Sequence, residues 1–332
     1  MAVLRYLFRL LVPALLSGCS ETFYPDIDVK PVLCINSLIR AGSPIEVRLT
    51  HSWVFNDEAA EENHEVDDAT LYLFVNDKLE SFDYIPVEGD NIRIVAESPK
   101  YGKAEASVRV PDAVEVSCND FKTEILDFWQ SPDNPLERFL NFNLRIPIKL
   151  VDRPGSEDYY RLSYHWKYPD FDTYSDSNLP SEVTYFYFST GTLDYKSEPL
   201  FFENVGAFES IFGYDGEGIL FFTDKQFADK SYTLNIHIDD ISYYLLNPEF
   251  ENKFDFKIVF QVAAVSRSYY DEAVYMWQRD SGALGDLGDI GFAEPIWGYS
   301  NVSTGAGVVA AETISTLTID IKDFLEKAIN QQ

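Results

Sequence analysis

The chain has 332 residues, with 26 basic against 55 acidic and a formal charge of −29. So negative a surface repels phosphate backbones and anionic headgroups, which excludes nucleic acid and electrostatic membrane attachment as partners. A hydrophobic share of 46%, with 15% aromatic, supplies a packed core and excludes disorder for most of the length.

The first eighteen residues read as a leader. Arg5 and Arg9 make a basic start, residues 10–16 are apolar, and Leu16-Ser17-Gly18-Cys19 closes on small residues. That is the order of a secretory signal. The apolar run is far below the roughly 20 residues of a membrane span, and Pro13 sits badly in a helix. Leu-Ser-Gly-Cys resembles the lipobox of bacterial lipoproteins, which implies an acylated Cys19 thiol and cleavage just before it. A diacylglycerol plus an N-acyl chain such as palmitate exceeds the two signals that stable anchoring takes. The expectation is therefore a chain tethered to a membrane outside the cytoplasm, and not spanning it. Loss of residues 1–18 removes two basic residues and no acid, so 24 remain basic and the charge falls to −31.

Residues 19–30 read as a short tether. From 31 the pattern turns to period two. Ile45, Val47 and Leu49 alternate with polar residues, as do Leu71, Leu73 and Val75, and Asn76-Asp77 marks a hairpin turn into 78–84. Further strands are expected at 91–95 and 104–110. Five or six short strands in this compass predict an immunoglobulin-like sandwich over 31–111. The acidic stretch 56–68 reads as an exposed loop, and Pro111 as a boundary.

A larger antiparallel β-sheet or sandwich domain is expected over 112–332, with one or two short helices. Its strands are longer: Leu140 to Leu150 alternates without a break, and similar patterns run over 160–168, 232–238 and 254–262. Pro147 lacks a backbone donor, which predicts an edge or a bulge at that point. Ser268 is positioned to cap a helix near 268–279, with Asp271 and Glu272 in its first turn. Residues 320–329 suggest a second short helix. The chain as a whole is expected to be mainly β.

Chemistry is sparse. The stretch 298–302 lacks the second glycine of a serine-hydrolase elbow. The four histidines, His51, His64, His165 and His237, show no metal-ligand spacing, and His165 and His237 fall on polar strand faces. The turns at 215–218 and 286–289 do not match a calcium loop, and with 55 acids a glycosidase pair has no specificity. Gly305-Ala306-Gly307 lacks the lysine and following helix of a phosphate loop. The expectation is a non-enzyme with no cofactor or metal site. With Cys19 acylated, Cys34 and Cys118 remain. Cys34, in an apolar run, reads as a buried thiol, and sequence alone leaves a bridge between the two open. In 183–188, Phe186 and Phe188 share one face while Tyr185 and Tyr187 share the other. Displayed tyrosines suit stacking on a glycan or anchoring a protein or peptide partner, so Tyr185 and Tyr187 are the candidate partner surface.

The lipobox, Lys30-Pro31-Val32-Leu33-Cys34-Ile35-Asn36, Ser43-Pro44-Ile45-Glu46-Val47 and Asp68-Ala69-Thr70-Leu71 together resemble a family of Bacteroidota lipoproteins known as domain of unknown function 4249. Tyr101-Gly102-Lys103-Ala104, the stretch 265–270, and Phe292-Ala293-Glu294-Pro295 leading to Gly305-Ala306-Gly307 fit the same pattern. Val308-Val309-Ala310 departs from it, where a glycine-aromatic pair is expected, and the 56–68 insert is idiosyncratic. The resemblance implies an outer-membrane lipoprotein encoded beside a TonB-dependent, SusC-like transporter, and supplies no catalytic residue. Two readings follow. One is a non-catalytic binding or accessory subunit of such a transporter. The other is a structural or adhesive envelope protein that contacts surface proteins or glycans.

Overall fold

The computed structural model describes residues 30–53, 64–133, 138–155, 157–167, 187–203, 219–245, 257–281 and 298–321. Sixteen strands appear there in chain order. The first six are β1 (Leu33–Arg40), β2 (Arg48–His51), β3 (Thr70–Val75), β4 (Lys78–Glu80), β5 (Asn91–Ser98) and β6 (Gly102–Arg109). Then follow β7 (Glu115–Ser117), β8 (Lys122–Gln130), β9 (Arg138–Val151), β10 (Tyr159–Lys167), β11 (Tyr187–Ser189) and β12 (Thr192–Leu193). The last four are β13 (Phe221–Thr223), β14 (Ser231–Leu245), β15 (Lys257–Val265) and β16 (Val309–Asp320), with one helix, α1 (Arg267–Ser281), between β15 and β16. The protein is mainly β, as its period-two faces require.

These strands form three sheets. A six-stranded sheet runs β13-β10-β15-β16-β1-β2, a four-stranded sheet runs β4-β3-β5-β6, and a third runs β11-β14-β9-β7 with β12 on β14 and β8 on β9. β16 explains how they stack. Its odd-numbered residues share one face: Val309 and Ala311 pack into a core with Leu33, Leu73, Ile94 and Ala106, while Ile319 packs into a second core with Phe142, Ile236 and Phe260. Between them the Thr313 and Ser315 hydroxyls donate to the carbonyls of Pro111 and Val114, both at 2.5 Å. One face of the first of these sheets therefore carries the other two end to end.

The first core is thus built from both sides of Pro111. β1 pairs antiparallel with β2 but parallel with β16, Ser37 opposite Val309 and Arg40 opposite Glu312. Segment 303–306 closes the join. The Ile35 N–H donates to the Ala306 carbonyl (2.9 Å), and Ser303 exchanges backbone bonds with Glu105 of β6 (3.1 and 2.7 Å). A Cβ on Gly305 would lie 2.3 Å from the Leu33 oxygen and 2.7 Å from the Ala104 Cβ, so the backbone fits only without one.

The opposite face of the sheet carries α1, whose Tyr270 is buried with Ala263 and Val265. Beside it lies Glu312, fully buried. Its carboxylate accepts from Arg40 (2.6 Å) and Arg161 (2.9 Å), which ties β1, β16 and β10 together through one charge. α1 begins at Arg267, and the Tyr269 N–H donates to the Ser266 hydroxyl (3.3 Å). Ser266 is therefore the cap in place of Ser268, whose hydroxyl meets Ser266 and donates to the Val309 carbonyl. With this earlier start, Asp271 and Glu272 fall beyond the first turn.

Other expectations shift locally. Asn76 and Asp77 both have positive φ (49° and 65°), the hairpin turn expected of them. Strand β2 begins only at Arg48, and β4 ends at Glu80. Pro147 lies inside a sheet, not at its edge: it pairs with Asn235 of β14 on one side, and on the other it falls where β9 changes partner from β8 to β7. Its missing donor costs no ladder bond, because the opposed Asn235 N–H donates to Glu198 Oε2 (2.8 Å) instead. Asp320 still belongs to β16, and the rest of the expected second helix lies outside the described residues. Cys34 and Cys118 are free thiols, each half-buried.

Candidate functional site

Cys19 and Tyr185 lie outside the described residues, as do the acidic turns at 215–218 and 286–289. Tyr187 opens β11, its backbone opposite Tyr244 of β14 at the edge of the third sheet. The edge strand at the other side of that sheet, β8, presents Leu126 and Trp129 about half exposed (46% and 45%).

A group that sequence spacing hid sits at one end of the first sandwich. Residues 64–66, read from sequence as part of a loop, pair alongside β2. Thr50 bridges Glu65, the His51 N–H donates to the His64 carbonyl (3.0 Å), and the Val66 N–H donates to the Leu49 carbonyl (3.1 Å). Burial of Val66 drives this pairing. Register then places His51 and His64 directly opposite each other, as a cross-strand pair. Their ring centres are 4.9 Å apart at 89°. Trp53 stacks on His64 at 4.0 Å, and Tyr101 stacks on His51 at 4.6 Å with the Lys100 ammonium over it at 4.8 Å. The result is a row Trp53–His64–His51–Tyr101–Lys100, with Trp53 half exposed at its end. The His51 Nδ1 lies 3.1 Å from the Ser52 carbonyl, which can only accept, so Nδ1 carries the hydrogen and Nε2 the lone pair when the ring is neutral. The sequence signal was present in mirror image: Leu49-Thr50-His51 faces His64-Glu65-Val66.

A second cluster is buried beneath the third sheet's end. One carboxylate oxygen each of Asp152, Asp158 and Asp224 lies within 4.8 Å of the others, a set able to hold a hard cation. All three are already engaged by protein donors. Asp152 accepts from the Tyr160 hydroxyl and the Asp229 N–H, both at 2.8 Å. Asp158 accepts a fork from Arg153 at 2.9 and 3.3 Å. Burial pushes the Asp224 carboxyl up from its ordinary value; the Asp158 N–H partly opposes this, and the charges of Asp152 and Asp158 add to it. The guanidinium beside them, Arg153, is shared with Asp112 (2.9 Å).

The remaining histidines differ from each other. His165 is exposed, as its strand face implies. His237 is half-buried in a cleft with Asp120, Lys122, Arg145, Pro147 and Asn235. Burial there holds its imidazole below the usual value, and the Arg145 charge adds to that. Arg145 in turn is paired with Asp239 across the strands.

Residues 20–318 match the model of a family described as a domain of unknown function, number 4249. No curated protein matches the chain.

Proposed function

Since the chain belongs to the family of domain of unknown function 4249, we propose that it is an outer-membrane-anchored lipoprotein serving as a non-catalytic binding or accessory subunit of a TonB-dependent, SusC-like transporter. The observation that carries this reading is the leader: Arg5 and Arg9, the apolar run 10–16, and Leu16-Ser17-Gly18-Cys19 in the order that lipidation needs. The partner surface is assigned to the third sheet. Tyr185 and Tyr187 are the anchors drawn from sequence, and the half-exposed Leu126 and Trp129 on β8 support that placement, because apolar and aromatic side chains held on a rigid strand give contact area at low entropic cost.

The test is a pull-down from detergent-solubilised outer membranes, with the mature N-terminus read by mass spectrometry. A lipidated Cys19 and a co-purifying barrel are expected. Cys19→Ala should release the protein from the membrane. Tyr185→Ala/Tyr187→Ala should lose the barrel at unchanged stability, since interface anchors of this type cost about 2 kcal/mol or more on truncation. A soluble wild-type product starting upstream of Cys19 overturns the anchor. Barrel recovery unaffected by the double variant removes the two tyrosines from the interface, and recovery of adhesins or glycans in place of a barrel moves the reading to an adhesive envelope protein.

A further inference from the structure

We propose that His51 and His64 form a surface site for one divalent transition cation of the zinc, nickel and copper class. Geometry carries the inference. Imidazole nitrogens bind such ions at about 2.0–2.1 Å, which puts the cation roughly 3.2 Å from each ring centre. Two rings meeting at a near-tetrahedral angle then have centres about 5 Å apart. The observed separation is 4.9 Å. The rings stand at 89°, which is no obstacle, since each needs only to keep the cation in its own plane.

The surroundings prepare the pair for this chemistry. His51 gives its Nδ1 hydrogen to the Ser52 carbonyl at 3.1 Å, the arrangement by which metal-binding histidines are held in one tautomer with Nε2 as donor. Trp53 stacks on His64 and Tyr101 on His51, which fixes the ring planes before any ion arrives. His51 ends β2 and His64 is held beside it by the bridge of Thr50 to Glu65, so little ordering accompanies binding. Imidazole selects borderline ions over calcium or magnesium, and the strong negative charge of the chain draws cations of any kind. Water completes the coordination sphere.

The experiment is a calorimetric titration of Zn²⁺, and separately Ni²⁺, into the untagged mature chain near pH 7.5. One equivalent is expected to bind. His51→Phe and His64→Phe keep the ring stack but remove the donors, and each should weaken binding at least tenfold at an unchanged melting temperature. Asp224→Asn should leave binding intact. Ni²⁺ should also quench part of the tryptophan fluorescence in the wild type, and that part should vanish in Trp53→Phe. Absence of saturable binding, or binding unaltered in both phenylalanine variants, overturns the proposal. Transfer of the effect to Asp224→Asn does the same, by placing the ion in the buried acid cluster.

Discussion

At the scale of single residues, Asp224 shows how burial and charge set a protonation preference. Asp224 is 2% exposed, and its pKa is raised first by burial and then by the neighbouring Asp152 and Asp158. A carboxyl raised in the folded state binds its proton more tightly there than in the unfolded chain. Its stabilising contribution is therefore complete below the ordinary aspartate value of about 3.9 and is lost as pH rises through the folded value. Asp224→Asn holds the neutral form at every pH. The variant is expected to melt above the wild type at pH 7, with the difference closing as pH falls below about 4. Thermal melts across that range check it, and an equal offset at both ends would place the effect elsewhere. Nothing in the sequence announced this cluster, because Asp152, Asp158 and Asp224 meet only through the packing of Tyr160 and the turn at Asp229. The histidine pair was nearer to legible, since only the register of 64–66 on β2 was missing.

Among elements, the strands with unbroken alternation were readable. β9, β10 and β14 bury one face each, as β15 does up to Val262, and the hydrophobic pattern alone says which. β16 escaped notice for a physical reason. Its residues 309–313 are all buried, because the helix side holds Glu312 while the other side holds Val309 and Ala311. A strand covered on both faces loses its alternation. The segment before it, Gly305-Ala306-Gly307, was recognisable only as something other than a phosphate loop. Its role is steric. Gly307 has φ of +106°, and a Cβ there would fall 2.2 Å from the Ile35 oxygen. Gly307→Ala combines a left-handed backbone with a clash against a backbone atom that cannot move freely. Each effect costs about 1–3 kcal/mol. A loss of at least about 2 kcal/mol is expected by denaturant titration, and a variant as stable as wild type would show that the segment detaches from β1.

The whole molecule is where sequence said least. A break at Pro111 separates the two cores in sequence, and the cores themselves are distinct. The first core nevertheless takes Val302, Val309 and Ala311 from the far end of the chain, and β1 has β16 as a central neighbour. Parallel pairing across more than 270 residues leaves no local signature, because neither strand's pattern names its partner. A fragment of residues 30–111 therefore lacks one wall of its own sandwich. It is expected to be unfolded by amide NMR, while the mature chain unfolds in one transition that includes both ends. A dispersed, native-like spectrum from the isolated fragment would show the first sandwich to be self-sufficient.

The position of β1 also decides how the molecule carries a mechanical load. Under the proposed anchoring at Cys19, the preceding residues act as a tether that meets the fold at Lys30, and the strand that follows is held along its length: Leu33 to Asn36 against β2, Ser37 to Arg40 against β16, and Arg40 locked to the buried Glu312. A pull on the tether acts along the axis of that strand. The hydrogen bonds on both flanks then stretch together in shear, where a hairpin pulled apart from its open end would lose them one by one. With the N-terminus anchored as proposed, drag on the body of the protein is thereby spread over the middle of the six-stranded sheet that holds β1.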